Sequence, residues 1–197
     1  AMAHMFACAR FISIAGHTMR EDKWEKKAYG KGIELCGKTL GVVGFGRIGQ
    51  HLGVMAKAIG MKVIAFDIYQ VPVISEQLDI PYVEMDELLA KSDFISVHAP
   101  AVDGGALINA ERIAKMKDGV VIINTSRGTN VDEAALLDAL NSGKVRAAGL
   151  DVYADEPASN SALYSHPMVS CTPHIGSATV EAQGRIGEEL VEIISKM

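Results

Sequence analysis

Short runs that are apolar at nearly every position recur along the chain, with longer stretches of helical spacing between them. Thr39-Leu40-Gly41-Val42-Val43, Lys62-Val63-Ile64-Ala65-Phe66, Phe94 to Val97, Val120 to Ile123, Ala147 to Leu150 and Val169 to Thr172 read as strands. Ile48 to Ile59 reads as a helix closed by Gly60. Asn109 is placed to cap a helix over Ala110 to Met116, and Asp132 one over Glu133 to Asn141, which stops before Gly143. Ala178 to Met197 sets Ala182, Ile186, Leu190 and Ile193 on one face, with Ser177 as its cap. The chain also opens on helical spacing. Strands with no polar face, alternating with helices, belong to a parallel sheet covered on both sides. The expected class is therefore α/β, a doubly wound parallel sheet.

Composition narrows the partners. With 197 residues, 49% of them apolar, the chain can bury a substantial core. A net charge of −5 argues against nucleic acid or an anionic membrane as the main partner. Cys8, Cys36 and Cys171 are odd in number and form no C-x-x-C, which fits a reducing, cytoplasmic compartment. No stretch approaches the ~20 apolar residues of a membrane span. The opening residues lack a basic region and are interrupted by Arg10, so a signal peptide is not expected. No metal is expected: Cys171 and His174, with His166 upstream, find no fourth ligand at suitable spacing.

Gly44-Phe45-Gly46-Arg47-Ile48-Gly49 is a G-x-G-x-x-G run, a weak signal when it stands alone. Here it follows a strand, opens a helix, and is followed after 18 residues by Asp67 at the end of the next strand. In a Rossmann-type domain Gly44 permits the tight turn, Gly46 admits a pyrophosphate to the backbone, and Gly49 lets the helix pack on the strand. The free N–H groups of the helix start then face the phosphates. Asp67 can accept the ribose hydroxyls and repels a 2′-phosphate, and no Arg or Lys follows in Ile68-Tyr69-Gln70-Val71, which favours NAD over NADP. Taken alone, Asp67 is equally a strand-end turn residue.

Ligands of doubly wound sheets sit outside the carboxyl ends of the strands. The expected strands end at Gly44, Asp67, His98, Thr125-Ser126-Arg127, Asp151 and His174, a set of polar or glycine positions on one rim. Each has an ordinary alternative. Arg127 is either a surface arginine paired with an acid or a planar fork for a carboxylate. His174 is either a histidine leading into a helix or an acid/base, and Glu156 is a solvated turn acid beside an equally acidic Asp155.

The segments GVVGFGRIG, INTSRGTNVDEAAL, AAGLDVYADEP and TPHIGSAT, in that order, resemble the D-isomer-specific 2-hydroxyacid dehydrogenases along almost the whole chain. Within that family the closest resemblance is to the D-3-phosphoglycerate dehydrogenases, partly through DKWEKKAYGKGIELCGKTLG. The resemblance implies hydride transfer between NAD and a small D-2-hydroxy or 2-oxo acid, with 3-phosphoglycerate leading over glyoxylate, hydroxypyruvate and D-lactate. It implies that Arg127 binds the substrate carboxylate and carbonyl, that His174 is the acid/base, and that Glu156, directly before the proline, pairs with it.

The resemblance also sets Arg47 and Ile48 against the pyrophosphate and the His98-Ala99-Pro100 turn on the adenosine side. The family often has threonine where Ala99 stands. Thr125, Ser126, Arg127, Asp151 and the turn from His174 through Gly176 to Ser177 fall at the nicotinamide end. It implies three parts: an interdomain and dimer-interface helix over 1–28, the NAD-binding domain over 29–177, and a helix over 178–197 that returns to a substrate domain absent from this chain. A homodimer or higher homo-oligomer follows from the same resemblance, with Met5, Phe6 and Phe11 placed for burial at that interface or against the sheet. A second implied class is an NAD-sensing interaction module, since the C-terminal-binding-protein corepressors resemble this family too.

Overall fold

The computed structural model describes residues 1–159 and 161–196. Six strands, β1 (Thr39–Val43), β2 (Lys62–Phe66), β3 (Phe94–Val97), β4 (Val120–Asn124), β5 (Val145–Leu150) and β6 (Val169–Cys171), pair in parallel in the order β2-β1-β3-β4-β5-β6. Tyr82 adds a single parallel bridge to Ala65 outside β2. This is the doubly wound Rossmann-type sheet that the alternation predicts.

The helices are α1 (Met2–Arg10), α2 (Ile12–Arg20), α3 (Arg47–Ala58), α4 (Pro72–Leu78), α5 (Met85–Lys91), α6 (Ala110–Lys115), α7 (Glu133–Ser142), α8 (Ser161–Tyr164) and α9 (Val180–Ser195). β3 and β4 are buried at every position, as a strand covered on both faces must be. Leu52 and Ala56 of α3 and Met5, Cys8 and Ala9 of α1 pack on one face with Val42, Val63, Phe94 and Val121. Leu88 and Leu89 of α5, Ile113 of α6 and Leu136 and Leu140 of α7 cover the other with Ile95, Ile122 and Ala148.

One row of paired residues crosses the whole sheet: Phe66, Val43, Val97, Asn124, Leu150 and Cys171. The residues immediately after that row are Asp67, Gly44, His98, Thr125, Asp151 and Thr172. Strand register thus delivers the polar rim. The chain reverses direction across the sheet at β1 and β3, so Gly44 and His98 flank the switch point where open α/β sheets take ligands.

Several local expectations are corrected. The opening segment is two helices, because Phe11 adopts a left-handed backbone (φ 58°) and caps α1 through its N–H to the Ala7 carbonyl. The Arg146 guanidinium lies 5.5 Å above the Phe11 ring. Met5 is fully buried in the core under β4 and β5, whereas Phe6 is 39% exposed. The last helix is capped by Thr179, whose side chain accepts from the Ala182 N–H, and not by Ser177. Val180, Leu190, Val191 and Ile194 of that helix are more than half exposed, and Met197 lies outside the described residues.

Candidate functional site at the carboxyl edge of the sheet

The glycine loop is built by three different constraints. Gly44 has φ +90°, and a Cβ there would sit 2.6 Å from the Ala99 nitrogen, so both backbone and space demand glycine. A Cβ at Gly49 would collide with the Gly44 carbonyl and approach Val42 Cγ1 to 2.9 Å, so the third glycine lets α3 seat on β1. Gly46 differs: its φ is −75°, and a Cβ would meet nothing within 4 Å. The fold does not need glycine at 46. The open space there is what a close-lying ligand needs.

α3 begins directly after Gly46 with no side-chain cap, which leaves its first N–H groups facing outward. Gly46, Arg47, Ile48, Gly49 and His98 line one open depression of about 430 Å³. An uncapped helix start beside a glycine with free space suits a pyrophosphate. Asp67 accepts from the Phe45 N–H at 2.7 Å through Oδ2 and from the Tyr69 N–H at 2.9 Å through Oδ1. It ties the glycine loop to the end of β2 while each oxygen keeps a lone pair for a ribose hydroxyl. Ile68 and Tyr69 beside it are 77% and 80% exposed.

His98 is held by its N–H on the Val43 carbonyl (2.7 Å) and by its ring Nε2 on Ser96 Oγ (2.8 Å). Burial pushes its pKa down to about 4, so it is a neutral imidazole near pH 7. Ala99 contributes its carbonyl, which accepts from Asn130 Nδ2 at 2.8 Å, and Pro100 is exposed.

Arg127 is presented on a clamped backbone. Asn124, fully buried at the end of β4, donates through Nδ2 to the Arg127 carbonyl (2.8 Å), and its Oδ1 accepts from the Ser126 N–H and hydroxyl. Arg127 is an exposed residue; its guanidinium donates to the Ser126 carbonyl and forms no ion pair among the described residues. Thr125 is half-buried beside it. At Gly128 a Cβ would fall on the Tyr153 carbonyl, so the turn after β4 presses on the loop after β5.

Asp151 is 2% exposed at the end of β5. It accepts from Thr172 Oγ1 (2.5 Å), the Ile175 N–H (2.9 Å) and the Gly176 N–H (2.7 Å). Burial alone would raise its pKa; those three donors more than offset it and hold the carboxyl below its ordinary value. The segment around His174 is thereby wrapped on one ionised carboxylate. His174 has φ +54°, and its Nδ1 lies 2.7 Å from Glu156 Oε2. Glu156 Oε1 also accepts from the Tyr153 N–H at 3.2 Å. The imidazole, followed by the backbone N–H, holds the Glu156 carboxyl below its ordinary 4.5. Asp155, the acidic neighbour, is exposed. Ser177 is exposed as well, and its carbonyl accepts from the Thr179 N–H.

Sequence reasoning missed Asn124, Asn130, Gly128 and Thr172. Each acts on a segment distant in sequence or on a backbone group, and no local pattern marks such a contact. Among the described residues no group of three or more His, Cys, Asp or Glu could hold a metal, and no helix is long and apolar enough to cross a membrane.

An open parallel sheet with a glycine-lined helix start at its switch point, an acid after the second strand and a histidine–carboxylate pair on the same rim defines a dinucleotide-binding domain of an oxidoreductase type. Residues 2–176 match the family model described as the D-isomer specific 2-hydroxyacid dehydrogenase, NAD binding domain. The chain belongs to that family, whose members are NAD-dependent oxidoreductases. It is 52% identical to a hydroxypyruvate reductase of Thermotoga maritima over all of this chain and 64% of that protein. It is 46% identical to a D-3-phosphoglycerate dehydrogenase of Mycobacterium bovis over 98% of this chain and 37% of that protein. Among solved structures it resembles a D-lactate dehydrogenase from Aquifex aeolicus complexed with NAD and lactic acid, with a TM-score of 0.85 and 34% identity, covering 98% of this chain and 63% of that one. The chain thus spans between about a third and two thirds of the length of these relatives.

Proposed function

We propose that this chain is the cofactor-binding part of an enzyme that moves hydride between NAD(H) and a D-2-hydroxy or 2-oxo acid. The observation that carries the reading is the 2.7 Å contact of His174 Nδ1 with Glu156, which leaves Nε2 for the substrate on the same rim as the exposed Arg127, which has no ion pair among the described residues. Bound NAD supplies the hydride acceptor or donor. The residues of this chain supply the rest.

Gly46, Arg47, Ile48 and Gly49 hold the pyrophosphate on the uncapped start of α3, and Asp67 takes the ribose hydroxyls. The His98-Ala99-Pro100 turn lines the adenosine side. Thr125, Ser126, Asp151, Gly176 and Ser177 shape the nicotinamide end. Arg127 binds the substrate carboxylate as a planar fork. His174 takes the hydroxyl proton on oxidation and returns it on reduction, work that a histidine performs near neutral pH. Glu156 holds the imidazole in the orientation and tautomer that leave Nε2 for the substrate. Residues 29–177 form the working cofactor domain, and 1–28 and 178–197 connect it to a substrate domain and to a second subunit.

3-Phosphoglycerate is the first substrate to test, on the strength of the matches to D-3-phosphoglycerate dehydrogenases. Hydroxypyruvate is the second, favoured by the 52% identity to a hydroxypyruvate reductase. A panel of 2-hydroxy and 2-oxo acids, run with NAD(H) and NADP(H) on the complete gene product, decides between them. Turnover of none of these acids overturns the reading.

A further inference from the structure

A line of hydrogen bonds runs from Ser13 on α2, through His4 on α1, to the carboxylate under the His174 turn. Ser13 Oγ donates to Ser170 Oγ (2.9 Å), Ser170 Oγ lies 2.9 Å from His4 Nδ1, His4 Nε2 lies 3.0 Å from Thr172 Oγ1, and Thr172 Oγ1 donates to Asp151 Oδ1 (2.5 Å). The direction of every bond is fixed from the Asp151 end. An ionised carboxylate only accepts, so the single hydroxyl proton of Thr172 goes to Asp151. Thr172 must then accept from His4, which puts the imidazole proton on Nε2. His4 Nδ1 accepts from Ser170, whose remaining lone pair takes the Ser13 proton. His4 is 7% exposed, and burial lowers its pKa, in agreement with the neutral ring this direction requires.

The fold makes room for this ring at a visible expense. Gly149 is the fifth of the six residues of β5, a buried position where a side chain would normally add to the core. A Cβ there would lie 2.5 Å from His4 Cβ and 3.0 Å from its Cγ. The strand lacks a side chain where His4 packs, and the imidazole reaches past it to Ser170 and Thr172. A leucine would fill the same space without needing a partner on either side.

We propose that His4 is a positioning residue of the cofactor site, acting through Thr172 and Asp151 on the backbone turn at Ile175 and Gly176. This deepens the proposed function and rests on its placement of that turn at the nicotinamide end. Asp151 keeps its orientation because Thr172 is oriented, and Thr172 is oriented because His4 donates to it. Loss of the His4 donor leaves the Thr172 hydroxyl free to rotate, and the two N–H bonds that shape the turn loosen together.

The test is calorimetric titration of the chain with NADH and, separately, with ADP-ribose, which lacks the nicotinamide. Wild-type protein is expected to bind NADH more tightly than ADP-ribose. His4→Leu and Thr172→Val should each weaken NADH on the order of tenfold while ADP-ribose changes less than about twofold. The double variant should be no worse than either single one, because both break the same line. His4→Gln should recover much of the loss, since its side-chain NH2 can donate to Thr172 in place of Nε2–H. Unchanged NADH binding in His4→Leu and Thr172→Val overturns the inference, and so does an equal loss of both ligands, which marks a merely structural role. If His4→Leu does not fold, Thr172→Val carries the same decision. Wild-type protein that binds the two ligands equally overturns the underlying placement of the turn, and the inference with it.

Discussion

The Glu156 carboxylate meets His174 Nδ1 at 2.7 Å across 18 residues of sequence, and its other oxygen accepts from the Tyr153 N–H. The acid is therefore fixed at both oxygens and orients the ring. Replacing it with glutamine keeps the shape and removes the charge. On the complete protein, Glu156→Gln should lower kcat on the order of tenfold or more and leave the NADH Kd within about twofold. Steady-state kinetics beside NADH titration checks this; an unchanged kcat contradicts the assignment.

The same pair makes a pH prediction for stability. Glu156 has a folded pKa below its ordinary 4.5, so the pair stabilises the fold above that value and loses its contribution as pH falls through the lowered one. The Tm of wild-type protein should exceed that of Glu156→Gln at pH 6, and the gap should close in acid below the carboxylate range. A gap that widens on acidification has the wrong sign for this pairing.

Gly44 and Gly46 separate folding from binding. Alanine at 44 meets the Ala99 backbone at 2.6 Å in a left-handed conformation and should cost about 2–4 kcal/mol. Alanine at 46 meets open space at φ −75° and should leave the unfolding midpoint within about 1 kcal/mol of wild type. Its methyl group instead occupies ligand space, so NADH affinity should fall on the order of tenfold or more. Denaturant unfolding and NADH titration of both variants check the split. Tight NADH binding by Gly46→Ala would place the pyrophosphate elsewhere.

Asp67 and Asp151 are both strand-end acids, yet they should fail differently. Asp67→Ala should weaken NADH and relax the preference over NADPH, since a negative charge facing the ribose is lost. Asp151→Ala leaves two N–H groups and a hydroxyl without their acceptor and should cost about 2–4 kcal/mol of stability. Cofactor preference measured for the first and unfolding for the second will tell them apart.

The strands were legible because burial on both faces leaves little but Val, Ile, Leu, Phe and Ala. β1, β2 and β3 begin and end where the apolar runs do. The rim was legible for the same reason, since polar residues reappear where the sheet stops. α4 was missed because none of its residues is fully buried: only Ile74 and Leu78 pack partly against the core, too short a face to mark a helix. The break at Phe11 was hidden because a left-handed backbone at a phenylalanine has no signature in the residue type, and the ring's contacts with Tyr29 and Arg146 come from other parts of the chain. The choice of Thr179 over Ser177 as the last cap turned on which hydroxyl reaches a free N–H, and a two-residue shift is below what composition resolves. Asp155 and Glu156 could be separated only by resemblance, and in the structure it is Glu156 that touches the imidazole. His4 was invisible, because its partners lie 166 and 168 residues away.

The most direct test of the account is kcat of His174→Ala in the complete protein, measured with the best substrate of the panel beside its NADH Kd. The account predicts a kcat loss of about 10²–10⁴-fold with the Kd within about twofold, because the side chain moves a proton and does not hold the cofactor. Turnover near the wild-type rate would contradict it.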